Sequence, residues 1–320
     1  MYNIIILSIS ILSFSVSCST NSKPKHPLAG QLKEGNQYAR DGLYREAIIT
    51  YRKILESRPN FYPAHRTIGI VYVKVGNYNK AIDHLEKSIT NYRDDFQSNF
   101  FLGESYRALA NFDDAIFRYK KALKIRPGDI RASKALAWSY HKIRYYKASL
   151  NTLKKISISA PHDTEVSVIL ARTLLKTNRI SKALNIINSA KTYAKSSQMP
   201  YLESVEGDCY FHLKNYSKAI KIYRSALKTQ PLLAGALLGL GKSLLKKGNN
   251  DASQAISYIK RATRLKPHLA EGLYILGKLY EKSNRKLSLT YYKRFLKIAE
   301  SDPEFIKEVQ HTRTNIDKLE

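Results

Sequence analysis

Residues 96–129 read FQSNFFLGESYRALANFDDAIFRYKKALKIRPGD and contain two amphipathic stretches separated by a short turn. In the first stretch, Leu102, Tyr106 and Leu109 recur at three- and four-residue steps, which is the spacing of one face of an α-helix. The second stretch ends before Pro127, a residue that cannot continue a helix. The segment therefore predicts two consecutive helices joined by a tight turn.

The same arrangement recurs along the chain, where a small residue returns at steps of 34, 34, 34, 34, 36, 34 and 36 residues. These residues are Gly35, Gly69, Gly103, Ala137, Ala171, Gly207, Gly241 and Gly277. About 12 residues after each lies a second small residue, at Ala47, Ala81, Ala115, Ser149, Ala183, Ala219, Ala255 and Ser288. A large residue follows four positions later, at Tyr51, Leu85, Tyr119, Leu153, Ile187, Tyr223, Ile259 and Tyr292. The period indicates a repeat architecture.

This order of residue sizes has a physical reason. Two neighbouring helices approach closely only where one side of the contact is small, and large side chains then fill the remaining space. A left-handed residue is expected between the two helices of a repeat, at Gly42, Gly76, Asn178, Gly248 and Asn284. Prolines fall at repeat ends, at Pro59, Pro127, Pro161, Pro231 and Pro267.

The pattern resembles the tetratricopeptide repeat family over about residues 28–303. The repeats are predicted at 28–61, 62–95, 96–129, 130–163, 164–197, 200–233, 234–269 and 270–303. Residues 304–320 follow as a C-terminal capping helix, because the end of a repeat array needs a polar outer cover. The resemblance implies an all-α, right-handed superhelical solenoid of about eight helix–turn–helix repeats, whose first helices line a groove.

The N-terminus has the character of a secretory signal. Residues 1–17 contain a 13-residue apolar stretch, too short to span a bilayer as a helix, and the following Cys18 resembles the lipidated cysteine of a bacterial lipoprotein. This predicts a signal peptide at 1–17, a lipidated Cys18 and a polar tether at 18–27. The protein would then be lipid-anchored at the periplasmic face of the bacterial cell envelope. The sequence around Ser15 also fits an ordinary signal-peptidase site, which would give a secreted or periplasmic soluble protein.

No enzyme motif is present, since the sequence lacks the phosphate-binding GxxxxGK[ST], the dinucleotide-binding GxGxxG and the zinc-binding HExxH. The eight histidines are scattered singly, so no metal site and no cofactor are expected. We expect His65 and His141 on first helices to be surface or groove residues, and Cys209 to be a buried, unreactive thiol. The chain is therefore interpreted as non-enzymatic.

The formal charge of +28 allows two interpretations. It can reflect a binding surface for nucleic acid, anionic lipid or acidic proteins, or a genome composition that favours lysine. A secretory signal argues against nucleic acid as the partner. Polyanion binding and a regulatory role beside an envelope enzyme remain the alternatives to a protein-binding scaffold.

The groove residues implied by the resemblance are mainly basic and aromatic. The proposed partner-binding residues are Arg66, Phe100, Arg107, Lys134, Trp138, Lys142, Arg172 and Phe211. Lys74, Arg131, Lys242, Tyr274 and Lys278 are expected to face the same way. Trp138, the single tryptophan, is either an exposed anchor between Lys134 and Lys142 or part of the packing against the next repeat. This chemistry predicts acidic or aromatic-rich peptide segments of other proteins as partners.

Overall fold

The computed structural model describes residues 27–248, 252–300 and 302–319. The predicted signal peptide, Cys18 and the tether as far as residue 26 lie outside these residues.

The described residues form seventeen α-helices and two short 3₁₀ helices, and they contain no β-strand. The first helices of the pairs are α1 (Pro27–Arg40), α3 (Tyr62–Lys74), α5 (Phe96–Ala108), α7 (Ile130–Lys142), α9 (Thr164–Lys176), α11 (Met199–His212), α13 (Ala234–Lys247) and α15 (Ala270–Tyr280). The second helices are α2 (Tyr44–Ser57), α4 (Tyr78–Asn91), α6 (Phe112–Ile125), α8 (Tyr146–Ser159), α10 (Ile180–Lys191), α12 (Tyr216–Thr229), α14 (Ala252–Leu265) and α16 (Arg285–Ala299). The 3₁₀ helices span Ser196–Gln198 and Pro303–Phe305, and α17 (Ile306–Leu319) ends the described chain.

Each first helix packs on the second helix that follows it, with α5 and α6 in contact at Gly103 and Tyr119. The predicted all-α class with consecutive helix pairs is confirmed. The chain divides into two compact units, with the boundary inside α5. Unit 1 comprises the described residues up to Phe101, and unit 2 those from Leu102 onwards. Within unit 2, α7 contacts α9, α9 contacts α11, and α11 contacts α13, so the first helices of successive pairs lie side by side.

The closest approach within each pair occurs at the small residues. The second small residue of every repeat, from Ala47 to Ser288, is fully buried. A Cβ atom added to Gly103 would lie 2.6 Å from Cε1 of Tyr119, and one added to Gly207 would lie 2.5 Å from Cε1 of Tyr223. These distances are far inside van der Waals contact, so glycine is required wherever a tyrosine ring lies opposite.

Serine replaces alanine at two of the fully buried positions, and in both its hydroxyl is bonded. Ser149 Oγ donates to the carbonyl oxygen of Ala137 at 2.8 Å, and Ser288 Oγ donates to that of Gly277 at 2.8 Å. The acceptor in each case is the first small residue of the same repeat. The close approach of the two helices therefore also satisfies the buried polar atom.

The buried tyrosines place their hydroxyls beside a polar residue of the first helix. Tyr51 donates to Asn36 Oδ1 at 2.7 Å, Tyr119 to Glu104 Oε1 at 2.5 Å, and Tyr223 to Asp208 Oδ1 at 2.6 Å. Each acceptor directly follows the glycine that the ring covers. The ring thus fills the space left by glycine, and its polar end has a partner at the helix surface.

The turns between paired helices use a left-handed residue in seven repeats. The following N–H then reaches back to the first helix, as in the bonds from Asn111 to Tyr106 O (2.9 Å) and from Asn215 to Tyr210 O (2.9 Å). Positive φ is found at Gly42, Gly76, Ala110, Arg144, Asn178, Lys214 and Gly248. The expectation for Asn284 is wrong: its φ is −155°, and its side chain instead accepts from the N–H of Leu287 and caps α16.

Helix α17 covers the last helix pair. Val309 is buried in a cluster with Ala270, Leu273, Phe295 and Ala299. This contact covers the apolar end of the array, the role expected of a terminal cap.

We expect Gly103→Ala to lower the free energy of unfolding by about 1–3 kcal/mol, because its methyl group would overlap the ring of Tyr119. Adding Tyr119→Leu should recover part of this loss, since the natural pair Ala137 and Leu153 has that combination. Urea unfolding of both single variants and the double variant measures a coupling of about 0.5–3 kcal/mol. Additive effects would show that the two residues do not share the space.

A second prediction concerns the left-handed Lys214. The left-handed conformation costs a residue with a Cβ atom about 1–2 kcal/mol, and glycine avoids that cost at the expense of a more flexible unfolded chain. Lys214→Gly should therefore raise the free energy of unfolding by about 0.5–1 kcal/mol. Lys214→Ala keeps the Cβ atom and should give no gain, so an equal gain from both variants would rule out backbone strain as the cause.

Candidate partner-binding groove

The first helices α7, α9, α11, α13 and α15 supply one side of unit 2, which we call the groove. A cleft of about 710 Å³ lies among α11, α13, α15 and α17. The apolar lining comprises Phe211, Leu245, Tyr274, Ile275 and Leu279. The charged lining comprises Lys242, Lys246, Glu271, Lys278, Glu281, Lys282 and Glu308. The structure thus brings together four residues that sequence reasoning assigned to the groove: Phe211, Lys242, Tyr274 and Lys278.

Lys242 connects the aromatic and the charged parts of this cleft. Its Nζ lies 4.7 Å from the centroid of the Phe211 ring and 2.5 Å from Oε1 of Glu271. The ammonium group therefore has a cation–π contact on one side and an ion pair on the other. Tyr274 is packed against Phe295, with ring centroids 5.4 Å apart, and against His311 at 5.7 Å. These contacts hold the cleft's aromatic side chains in fixed positions.

Trp138 lies at the other end of the groove and is half-buried. It packs against the cluster of Ala137, Leu153, Ile156, Val166 and Ile169. Its ring is also stacked on His141, with centroids 5.2 Å apart and planes 9° apart, and Lys142 Nζ lies 5.6 Å from its centroid. The indole thus belongs partly to the packing between repeats and partly to a basic, accessible surface.

Lys134 and Arg107, like Lys242, are predicted groove cations of unit 2 that pair with nearby acids. Lys134 Nζ lies 3.0 Å from Asp163 and 2.6 Å from Glu165, and Arg107 lies 2.7 Å from Glu104. Asp163 also caps α9 by accepting from the N–H of Val166 at 3.1 Å. The Lys134 pairs join α7 to the start of α9, whereas the Arg107–Glu104 pair lies within α5. All of these pairs reduce the positive charge that a partner would meet.

Arg172 and Lys142 differ from these acid-paired cations. Among the residues that the structure describes, no carboxylate lies within ion-pair distance of Arg172 or of Lys142. Both lie near His141. Its pKa is lowered to about 4, chiefly by desolvation and further by the positive charges of Lys142, Lys176 and Arg172. His141 Nδ1 lies 3.0 Å from Thr173 Oγ1, so the ring is a neutral hydrogen-bonding group of the groove wall.

Unit 1 carries the two remaining predicted residues, and neither presents a free functional group. Arg66 forms an ion pair with Asp95 at 3.3 Å and borders a pocket of about 270 Å³. Phe100 is only 8% exposed and is stacked on Phe96, with centroids 5.9 Å apart. The assignment of Phe100 to an open groove is therefore wrong, because its ring is part of the core.

The expectation that His65 is a surface or groove residue is also wrong, since it is 5% exposed. Its Nε2 donates to the carbonyl oxygen of Pro59 at 2.7 Å, which leaves Nδ1 to accept from Nδ1 of His84 at 3.0 Å. Desolvation, followed by the charge of His65, lowers the pKa of His84 to about 4. The two rings form a neutral structural pair.

The prediction of a buried thiol is confirmed. Cys209 is free and fully buried, and burial raises its pKa to about 12, so it is protonated at neutral pH. Within 27–248, 252–300 and 302–319, no three histidine, cysteine, aspartate or glutamate side chains are grouped so as to hold a metal ion. None of the helices described there is both long and apolar enough to cross a membrane.

Sequence reasoning missed the acidic side chains that reach the groove from the C-terminus. Glu308 lines the cleft, and Glu304 forms an ion pair with Lys176, which precedes it by 128 residues. No local pattern indicates this contact, because it depends on how repeats 5 to 8 curve.

Two segments match family models of the tetratricopeptide repeat, residues 66–130 and residues 205–231. A tetratricopeptide repeat protein from Parabacteroides merdae ATCC 43184 has a similar crystal structure, with a TM-score of 0.67 and 13% identity over 84% of this chain and 98% of that chain. A chain of the APC/C hetero-tetramer Cut9–Hcn1 is similar with a TM-score of 0.61 and 15% identity, and the match covers 90% of this chain and 55% of that chain. No curated protein matches the sequence.

The chain therefore contains tetratricopeptide repeats at residues 66–130 and 205–231, and its helix pairs share the fold of solved tetratricopeptide repeat structures. At these identities the two solved structures establish a shared fold. Repeats of this family generally serve as non-enzymatic scaffolds that bind other proteins.

The stacked pair of Trp138 and His141 gives a prediction about pH. A solvated histidine titrates near pH 6.5, whereas His141, with a pKa of about 4, stays neutral in that range. Because a protonated imidazole quenches a stacked indole, we expect the emission of Trp138 to be constant between about pH 7.5 and about pH 5.5. A change in emission centred near pH 6.5 that His141→Gln abolishes would contradict the buried environment.

Proposed function

We propose that this protein is a non-enzymatic adaptor that binds acidic, aromatic-containing segments of other proteins in the groove of unit 2. The observation that carries the proposal is the joint presence of accessible cations and fixed aromatic rings along one set of first helices. Arg172 and Lys142 lie beside Trp138 and His141, and Phe211 and Tyr274 line the cleft further along. A partner's carboxylates would pair with the cations, and its apolar side chains would enter the cleft.

The second part of the proposal is location. The sequence of residues 1–17, followed by Cys18 and a polar tether at 18–27, supports a lipid anchor at the bacterial cell envelope. An adaptor held in this way would gather its partners at the membrane surface. Metabolic labelling with an acyl-chain probe should mark the natural protein and leave Cys18→Ser unmarked; equal labelling of both would place any lipid elsewhere.

The groove proposal is tested with short labelled peptides that combine Asp or Glu with Phe or Tyr. Lys142→Gln combined with Arg172→Gln should weaken their binding by about tenfold or more, which corresponds to about 1.4 kcal/mol. The matched control is Lys147→Gln with Lys154→Gln, which removes the same charge from exposed positions on the second helix α8. Fluorescence anisotropy measures both variants at one salt concentration.

The outcome also separates the groove from diffuse polyanion binding, which the charge of +28 makes a second candidate. If binding depends only on net charge, the groove variant and the α8 control should lose equal affinity, and DNA or anionic vesicles should bind as well as the peptides. Equal losses would therefore reject the groove as the site. Binding of peptides in which Lys replaces every acid would reject the proposed partner chemistry.

A further inference from the structure

The C-terminal acidic segment, residues 302–308, joins the cap helix to the groove of unit 2. The 3₁₀ turn Pro303–Phe305 precedes α17, and Phe305 packs edge-on against Phe295 with centroids 5.7 Å apart. From this apolar attachment the side chain of Glu304 extends in the other direction and pairs with Lys176 at the end of α9. The covering of the last repeat and the contact with the groove are thus made by different residues of one segment.

The surroundings of Glu304 form a site for a carboxylate. Although partial burial acts to raise it, the pKa of Glu304 is lowered, because Lys176 donates a hydrogen bond and because Lys176, Arg144 and Lys142 are positively charged. These three cations come from two neighbouring repeats, at the ends of α7 and α9 and in the turn after α7. We call Lys142, Arg144 and Lys176 the acid-binding subsite.

A second acidic side chain of the same segment enters the neighbouring cleft. Glu308 lines it together with Lys242, Lys278 and Lys282. The segment therefore provides carboxylates at two places where the groove carries lysines, as an acidic partner would.

We propose that the C-terminal acidic segment is an intramolecular competitor for the groove, with Glu304 occupying the acid-binding subsite that a partner's Asp or Glu side chain takes when it binds. This inference rests on the proposed function and specifies it: a partner presents a carboxylate to Lys142, Arg144 and Lys176. Covering the last repeat does not require the Glu304 contact, since Val309 and Phe305 provide the apolar packing.

The ion pair that holds Glu304 is weak enough to be displaced. The side chains of Lys176 and Glu304 retain 44% and 38% of their exposure, and pairs of this kind contribute little to stability. A partner with several contacts can therefore replace Glu304. The partner's apparent affinity is then its intrinsic affinity multiplied by the fraction of molecules in which the subsite is free of Glu304.

The experiment compares Glu304→Gln with Asp317→Asn, which removes the same charge from an exposed position on α17. Hydrogen exchange of residues 305–312 reports the attachment of the segment, and anisotropy with the acidic peptides reports the groove. We expect Glu304→Gln to speed exchange and to tighten peptide binding, each by about fivefold, while Asp317→Asn changes neither. Lys176→Gln should also speed exchange, and Lys176→Gln combined with Glu304→Gln should exchange no faster than Glu304→Gln alone, because the same ion pair is already broken.

The two readouts separate the possible failures. Unchanged exchange in Glu304→Gln would overturn the attachment of the segment to the groove. Faster exchange with unchanged peptide affinity would overturn the competition while leaving the proposed function intact. Faster exchange with no peptide binding to any variant would overturn the proposed function and the competition with it, and would leave the ion pair as a purely structural contact.

Discussion

The contact between a small residue on the first helix of a repeat and a large residue on the second determines how each helix pair packs. Gly103 leaves room for Tyr119 and Gly207 for Tyr223, whereas Ala137 and Leu153 share one buried cluster. Because the contact is repeated at almost constant spacing, each pair presents its first helix in the same way. The residues on those helices then fall on one side of unit 2, where a partner segment can contact several repeats.

Because successive first helices lie side by side, acidic residues at their starts can pair with basic residues of the preceding first helix. Asp95 caps α5 through the N–H of Ser98 at 2.8 Å and pairs with Arg66 on the preceding first helix, α3. In the same way, Asp163 caps α9 and pairs with Lys134 on α7. One carboxylate in each case satisfies a helix start and a cation of the preceding first helix. Much of the positive charge assigned to the groove from the sequence is therefore used to connect repeats. The cations without such an acidic partner remain available for binding. Glu304, near the C-terminus, pairs with one of the groove cations, Lys176.

The repeat pattern could be predicted from the sequence because it depends on contacts between residues at most a few tens of positions apart. The small residues, the helix pairs and the buried Cys209 all follow from such spacing. The burial of Phe100 could not be predicted, since a helix position that faces a groove in the family pattern becomes core when its neighbours are aromatic. The left-handed Lys214 was missed because the turn geometry prevails over the residue's own preference. The pairing of Glu304 with Lys176 requires the curvature of several repeats, which no single segment encodes.

Carbodiimide cross-linking of the full chain, followed by peptide mapping, shows whether Glu304 lies in the groove, because the reagent joins only a carboxylate and an amine that are in contact. We expect a bond between Glu304 and Lys176 in the free protein, and its loss when an acidic peptide is bound in excess. Cross-linking of Glu304 only to lysines near it in sequence would show that the segment does not contact the groove. A Glu304–Lys176 bond whose yield is unaffected by a bound peptide would show that the two do not compete.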